Sequence, residues 1–192
     1  RFNISDVEFL LDGNASGIML APTGATFCLR DCYMTRPRDR GVTSIGSGCQ
    51  DILIDRCQFL SNEMNEPAQN RTTIALNVNN NDAKIRHSRF VRFGHFMVAA
   101  GGGHIIEGNH WFQGDNAQAG VRFAGLVLTQ TNVQSTVTGN YIDNAGIEWT
   151  NEHSATPAFQ GNEFSFGGLT ITGNTFLVSN GTAGFSWLTV KP

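Results

Sequence analysis

A short pattern of alternating apolar and polar residues recurs seven times along the chain. It places two apolar residues two positions apart, followed by a turn residue, a small residue and a large apolar residue. The clearest copies are Phe27–Met34, Ile52–Phe59 and Leu169–Phe176, and the others begin at Phe2, Ala83, His104 and Ser135. Such alternation predicts strands, and a unit that returns roughly every 20–35 residues predicts a repeat architecture.

Aligning the seven copies gives columns of matching residue types. The inner column contains only Leu and β-branched residues, namely Ile4, Leu29, Ile54, Ile85, Ile106, Val137 and Ile171. The closing column is mostly aromatic, namely Phe9, Met34, Phe59, Phe90, Trp111, Ile142 and Phe176. We therefore predict an all-β fold in which stacked strands bury both columns.

Two further columns predict contacts between neighbouring copies. The column before the turn alternates in charge through Arg30, Asp55, Arg86 and Glu107. We expect a solvated ladder of ion pairs there. The column of small residues ends in Asn109, Asn140 and Asn174. Their side-chain amides are expected to bond to one another and to the backbone of the turn.

A second strand is predicted before each copy of the motif. The candidates are Gly17–Leu20, Gly41–Ile45, Thr73–Val78, Phe96–Ala99, Leu126–Thr129, Ile147–Trp149 and Phe185–Leu188. Their predicted outward positions are Met19, Thr43, Asn77, Met97, Glu148 and Ser186. A third short strand would complete a three-sided coil. Loops of unequal length are predicted at 35–40, 62–72, 114–119 and 150–168, and such loops are where function is usually found.

Length and composition indicate one domain over residues 1–192. The chain has 192 residues, a net charge of −3 and 15% charged residues, so no basic surface points to nucleic acid or an anionic membrane. No apolar run approaches the roughly 18 residues needed to span a membrane. Because the first repeat starts at Phe2, the chain is expected to be a fragment of a longer protein.

The four cysteines are Cys28, Cys32, Cys49 and Cys57. We expect buried free thiols that behave as small apolar residues. A disulfide between Cys32 and Cys57, which share a column, and a metal site are the alternatives. The spacing matches no zinc pattern, so neither a metal nor a cofactor is predicted.

The stretches Ile105–Phe112 and Ile171–Phe176 resemble coils of the right-handed parallel β-helix superfamily, which has the pectin-lyase-like fold. The resemblance covers nearly the whole chain and implies a right-handed solenoid of about seven coils. Members of that superfamily include pectate and pectin lyases, polygalacturonases, alginate epimerases and phage tailspikes. The resemblance therefore implies a polysaccharide as the partner, and a location outside the cell or on a virion surface.

The catalytic signatures of those families do not transfer to this chain. Pectate lyases use an Arg-x-Pro-x-x-Arg motif, and the stretch Arg36–Arg40 places its proline one position too early. Asp6 and Asp31 share a column, as calcium ligands would. The next member of that column is Arg56, which favours a salt contact over a calcium site.

Two clusters remain as candidate sites. Glu148, Glu152 and His153 lie beside Trp149 and are the predicted catalytic residues, with Trp149 as a stacking platform for a sugar. The alternative for this cluster is an exposed loop beside a core tryptophan. The basic loop with Arg36, Arg38 and Arg40 is predicted to bind an anionic glycan. The alternative for it is a solvated loop paired with Asp39.

Three functions are consistent with these observations. The first is a polysaccharide-recognising module of an extracellular or tailspike-like protein. The second is a polysaccharide lyase or glycoside hydrolase acting on an acidic polysaccharide, and the third is a structural spacer. Whether the protein is an enzyme stays open.

A stripe of residues after the closing column predicts assembly. It consists of Leu10, Thr35, Leu60, Val91, Phe112, Asp143 and Leu177, of which five are large and apolar. Alternation points this column outward if the strand continues past the aromatic residue, and we then expect a homotrimer. If the strand ends at the aromatic residue, the stripe folds inward instead.

Overall fold

Short parallel strands are the main secondary structure of the residues that the structure describes. A computed structural model describes residues 1–20, 26–44, 51–67, 70–79, 82–100, 103–114, 119–124, 134–150, 168–178 and 186–191. Within these residues the chain forms 21 strands, numbered here in chain order, and no α-helix. They are arranged in three seven-stranded sheets.

Each sheet takes one strand from every successive set of three. Sheet 1 contains β1 (Phe2–Ser5), β4 (Phe27–Arg30), β7 (Asp51–Asp55), β10 (Asp82–Arg86), β13 (Ile105–Glu107), β16 (Gln134–Thr138) and β19 (Gly168–Thr172). Sheet 2 contains β2 (Glu8–Leu10), β5 (Tyr33–Thr35), β8 (Gln58–Leu60), β11 (Arg89–Val91), β14 (His110–Phe112), β17 (Tyr141–Asp143) and β20 (Thr175–Leu177). Sheet 3 contains β3 (Ile18–Leu20), β6 (Arg40–Ser44), β9 (Ile74–Asn79), β12 (His95–Ala100), β15 (Ala119–Ala124), β18 (Gly146–Thr150) and β21 (Leu188–Lys191).

We call three successive strands, one from each sheet, a round. Neighbouring rounds pair parallel in all three sheets. The expectation of an all-β fold with stacked parallel strands is therefore confirmed, and the arrangement is compatible with a parallel β-helix.

The predicted register of sheets 1 and 2 is confirmed at every described pairing. In sheet 1 the inner column runs from Ile4 to Ile171 without a shift. In sheet 2 the closing column runs from Phe9 to Phe176 in the same way. Its rings stack, with centroids 5.0 Å apart for Phe59 and Phe90 and 4.4 Å apart for Phe90 and Trp111. Parallel stacking thus places like side chains on one another and builds the core.

The predicted asparagine ladder is also present. The side-chain amide of Asn109 donates to Oδ1 of Asn140 at 3.0 Å, and that of Asn140 donates to Oδ1 of Asn174 at 2.9 Å. The backbone N–H groups of Asn109 and Asn140 donate to the same oxygens. Buried backbone N–H groups need hydrogen-bond partners, and the turn leaves those of Asn109 and Asn140 without one. The side-chain oxygens of the ladder supply these partners.

The predictions for sheet 3 are less accurate. Met97 was expected to face outward, but it belongs to the buried core, and Val98 pairs with Asn77 in the outward column. Thr189, not Ser186, is the residue opposite Glu148. Phe96–Ala99 contains four apolar residues in a row, so no alternation indicates which of them faces the core.

One further strand of sheet 3 lies earlier in the chain than expected. The strand of this round is β15, which starts at Ala119, where a loop was predicted. Leu126–Thr129, the predicted strand, lies outside the described residues. The pairing of β15 with β18 places Arg122 opposite Glu148, an arrangement that was not anticipated.

The prediction of free thiols is confirmed for three of the four cysteines. Cys28, Cys32 and Cys57 are buried and unbridged. Burial raises the pKa of Cys57 to about 12, so this thiol stays protonated and unreactive. Cys49 lies outside the described residues.

The stripe predicted on sheet 2 keeps its register but is not evenly exposed. Strands β11, β14 and β17 all continue one residue past the closing column, so the alternative in which the strand ends at the aromatic residue is wrong. Leu10 and Leu177, at the two ends of the stripe, are 67% and 41% exposed, whereas Val91 and Asp143 are buried. The exposed apolar surface of the stripe therefore lies mainly at its ends.

Candidate functional site

The outer face of sheet 2 carries a shallow groove in its later rounds. Parallel pairing of β11, β14 and β17 places Arg89, His110 and Tyr141 in one outward column. Phe112 and Asp143 occupy the next outward column of β14 and β17. Together with the turn residues Gly108, Asn109 and Gly139, these side chains line a groove of about 480 Å³.

Ring contacts hold the side chains of the groove at defined angles. The rings of His110 and Tyr141 meet edge to face, with centroids 5.0 Å apart and planes at 89°. His110 also meets Phe112 edge to face at 5.9 Å. The guanidinium carbon of Arg89 lies 6.0 Å from the centroid of the Phe112 ring, at the edge of the cation–π range. Tyr141 is 39% exposed, so it presents ring surface to a ligand.

Burial shifts the pKa values of His110 and Asp143 in the groove toward their neutral forms. The pKa of His110 is lowered, first by burial and then by the positive charge of Arg89, while Asp143 opposes the shift. The pKa of the Asp143 carboxyl is raised by burial, and His110 opposes that shift. His110 is therefore mainly a neutral imidazole at pH 7, and Asp143 keeps its proton to a higher pH than an exposed aspartate.

The corner between sheets 1 and 2 explains why the groove occurs in the later rounds. One turn residue of each round has a positive φ, between 50° and 65°; these residues are Asp6, Asp31, Arg56, His87, Gly108, Gly139 and Gly173. Because Asp, Arg and His adopt this conformation in the first four rounds, the backbone alone does not require glycine in the last three. Gly108 and Gly139 instead leave this side of the groove without side chains.

The space at these glycines differs from one round to the next. A Cβ atom at Gly108 would lie 3.0 Å from the Cδ2 of His87, so glycine also relieves a close contact there. At Gly139 the nearest atom to such a Cβ is the Gly108 nitrogen at 3.9 Å, which is ordinary contact. A side chain at position 139 would fit the backbone packing and would enter the groove.

The same corner is charged in the earlier rounds. Asp55 is 1% exposed, and guanidinium nitrogens of Arg56, Arg86 and Arg30 lie 2.9, 3.2 and 4.0 Å from its carboxylate. The expected ladder is therefore present as ion pairs of Asp55 with Arg30 and Arg86, and Glu107 continues the column beside Arg86. Its description as solvated is wrong for Asp55, because the arginines cover it. This part of the corner is occupied by ion pairs.

The salt contact that was expected in place of a calcium site is confirmed. Arg56 donates to both carboxylate oxygens of Asp31 at 2.7 Å each. This bidentate contact lowers the pKa of the Asp31 carboxyl. The described residues contain no group of three or more His, Cys, Asp or Glu side chains placed to hold a metal ion.

The basic loop predicted to bind an anionic glycan is anchored within the protein. Arg36 pairs with Asp12, with Nη1 and Oδ1 2.9 Å apart, and the backbone N–H of Arg38 donates to the carbonyl of Ala15 at 2.8 Å. Asp39 accepts hydrogen bonds from the Ser16 hydroxyl and from the backbone N–H of Arg40. The glycan-binding role of Arg36, Arg38 and Arg40 stays a prediction.

The predicted catalytic cluster is only partly described. Glu148 lies half-buried on β18, in the outward column between Arg122 and Thr189. Trp149 follows it in the strand, whereas Glu152 and His153 lie outside the described residues. In sheet 3, β18 is four strands from β6 and its basic loop, or roughly 19 Å at the usual strand spacing. The structure therefore does not bring these two predicted sites together.

Sequence reasoning missed the groove residues Arg89, His110, Tyr141 and Asp143. Their signal was the turn column, which changes from charged residues and histidine to glycine after His87. The alignment of the repeats shows this change to glycine. That the glycines leave a groove becomes clear only when neighbouring rounds are stacked in three dimensions.

No protein-family model, curated protein or solved structure matches this chain. None of the described residues belongs to a helix with the length and apolar character that crossing a bilayer requires.

Proposed function

We propose that this protein is a polysaccharide-recognising module built as a right-handed parallel β-helix of about seven coils. The chain passes through the three parallel sheets in the same order in every round, which supports the proposal of a β-helix. Parallel crossovers are right-handed in almost every known case, which supports a right-handed one. The resemblance to pectin-lyase-like proteins supports a place outside the cell or on a virion surface.

The polysaccharide binds in the groove on sheet 2 under this proposal. One observation carries it: the turn column loses its side chains in the rounds where His110, Tyr141 and Phe112 form an aromatic surface. Sugar rings stack on aromatic faces, and their hydroxyls need hydrogen-bonding groups, which the exposed Arg89 supplies. We call the turns at Gly108, Gly139 and Gly173, which have no side chain, the bare corner. Next to it on sheet 1, the hydroxyls of Thr138 and Thr172 lie 3.1 Å apart and extend this polar surface.

Replacing Tyr141 with Ala tests this proposal. We expect the affinity for the polysaccharide that binds best in a glycan panel to fall roughly tenfold, because an exposed aromatic anchor is typically worth about 1–2 kcal/mol. The matched control is Tyr33→Ala, since Tyr33 occupies the same outward column of sheet 2 in the second round. Binding by neither the wild type nor any variant, or equal losses in both variants, contradicts the proposal.

Cleavage of the bound polysaccharide is the second candidate function. A neutral His110 can accept a proton, and the raised pKa of Asp143 suits a proton donor beside it. The same samples are assayed for new reducing ends and unsaturated products from pectate, alginate and capsular polysaccharides. Loss of product in His110→Gln supports this site, whereas loss in Glu148→Gln supports the site predicted from the sequence. An absence of product from every glycan excludes an enzyme acting on them.

A homotrimer remains our proposal for assembly, with the exposed ends of the sheet 2 stripe in its interface. We expect light scattering at tens of micromolar to show a trimer that Leu10→Asp dissociates without unfolding. Met19 is 66% exposed on sheet 3, so Met19→Asp is the matched control and should leave the trimer intact. A wild-type monomer of 20.9 kDa contradicts the trimer.

A further inference from the structure

A loop between β8 and β9 folds back against the later rounds and closes on itself. Its described residues are 61–67 and 70–73. The Glu63 carboxylate accepts hydrogen bonds from the backbone N–H groups of Thr72 and Thr73, both at 2.9 Å, and from the Thr73 hydroxyl at 2.6 Å. The hydroxyls of Ser61 and Thr73 lie 2.9 Å apart. The two ends of the loop are therefore fastened to each other.

Arg71, near the end of this loop, is buried with only 3% of its surface exposed. Its Nη1 donates to the Oε1 of Gln113 at 2.9 Å, and its Nε donates to the carbonyl of Glu63 at 3.3 Å. A buried guanidinium has a large desolvation cost and is kept only where its contacts compensate for that cost. Gln113, a partner of Arg71 outside the loop, follows immediately after Phe112 of the groove.

Gln113 connects the loop to the groove. It is completely buried, and its side chain donates to the carbonyl of Phe93 at 2.5 Å, while its backbone N–H donates to the carbonyl of Asp143 at 3.1 Å. Gln113 is thus covalently joined to Phe112 and hydrogen-bonded to Asp143, which form the outer wall of the groove. Displacing it would move both residues.

Arg92 makes a second connection between the loop and this wall. Its Nη1 donates to the carbonyl of Met64 at 2.6 Å. A Cβ atom at Gly114 would lie 3.1 Å from the tip of the Phe112 ring and 3.2 Å from Nη2 of Arg92, so the ring and the guanidinium converge on Gly114. The loop is therefore linked to the surroundings of the Phe112 ring through Arg92 as well as through Gln113.

We propose that Arg71 is a positioning residue, which through Gln113 holds Phe112 and Asp143 in place as the wall of the groove. The importance of this wall for glycan binding rests on the function proposed above. The position of the wall itself does not, because His110 meets the Phe112 ring and reports on it without a ligand.

Two measurements on Arg71→Met test this proposal. The first is the NMR chemical shift and titration of the His110 imidazole, assigned by its loss in His110→Gln. We expect the shift to change and the titration midpoint to move toward that of a free histidine, because a displaced wall exposes the ring. The second is the affinity for the best-binding polysaccharide, which we expect to fall at least fivefold.

Thr73→Val and Arg38→Met are the matched controls. The first removes hydroxyl contacts that close the loop but keeps Arg71 and Gln113, and the second removes an arginine from the exposed basic loop. We expect Thr73→Val to lower the melting temperature without changing the His110 titration, and Arg38→Met to change neither. If the loop acts only as a structural unit, the His110 signal should change equally in Thr73→Val and Arg71→Met. Equal changes in these two variants overturn the proposal.

The outcomes separate this proposal from the proposed function. An unchanged His110 signal in Arg71→Met overturns the positioning role, whatever the glycan affinity. A changed signal in a protein that binds no polysaccharide supports the positioning role and contradicts the proposed function. If Arg71→Met does not fold, the same criteria apply to Arg71→Gln, which is neutral and keeps a hydrogen-bond donor toward Gln113.

Discussion

Replacing Asp55 with Ala is expected to destabilise the protein by roughly 1.5–3 kcal/mol, because it removes charged hydrogen bonds to a buried carboxylate, while the arginines left behind are partly exposed. The carboxylate is 1% exposed, and its removal leaves Arg30, Arg56 and Arg86 facing one another across three adjacent rounds. The mutual repulsion of three guanidinium groups is then no longer balanced at that point of the corner. Urea unfolding, followed by circular dichroism, measures the free energy of unfolding of both proteins.

Asp12→Ala is the matched control for this experiment. Asp12 pairs with Arg36 at 2.9 Å, but both side chains are more than half exposed, so the free energy of unfolding should change by less than about 1 kcal/mol. Asp55→Asn keeps the shape of the side chain and some of its hydrogen bonds, and should lie between the two. Equal small losses in Asp55→Ala and Asp12→Ala would show that Asp55 is solvated in solution.

Filling the bare corner with Gly139→Asp is expected to abolish polysaccharide binding, with a loss of affinity of at least about a hundredfold, or roughly 2.7 kcal/mol. The substitution places a charged side chain where Gly139 lines the groove. Asp31 adopts a φ of 51° at the same position of an earlier round, so the backbone accommodates aspartate. The free energy of unfolding should fall by only about 1 kcal/mol, the usual cost of a left-handed aspartate relative to glycine.

Gly173→Asp is the matched control for the corner. Its φ of 63° is close to the 65° of Gly139, and it lies one strand spacing further along the same column, outside the residues that line the groove. Isothermal titration calorimetry with the best-binding polysaccharide should give affinities for Gly173→Asp and wild type within about threefold of each other. Equal affinities for Gly139→Asp and wild type would move the binding site away from this corner.

The alignment of the repeats determined most of sheets 1 and 2. In a parallel stack each residue lies against its equivalent in the next round, so a column of like residues is also a list of contacts. The inner column from Ile4 to Ile171 and the amide ladder from Asn109 to Asn174 were readable for that reason. The bidentate contact between Asp31 and Arg56 followed from their shared column.

Sheet 3 was harder to predict because β12 lacks the alternation that distinguishes its two faces. In β12 the residues Phe96, Met97, Val98 and Ala99 are all buried, so the period of two that distinguishes the faces is absent. Register then depends on pairing with Leu76 and Asn77 of the neighbouring strand, which the chain by itself does not specify.

The repeat, the parallel pairing and the composition of the core follow from residue types at a fixed spacing along the chain, so they can be derived before folding is known. Folding decided the burial of Asp55, because three long arginine side chains lie over it. It also decided the groove, because Arg89, His110 and Tyr141 are 21 and 31 residues apart and meet only through the stacking of successive rounds. The repeat follows from the spacing of residues along the chain. The groove depends on which side chains stay exposed after neighbouring rounds have stacked.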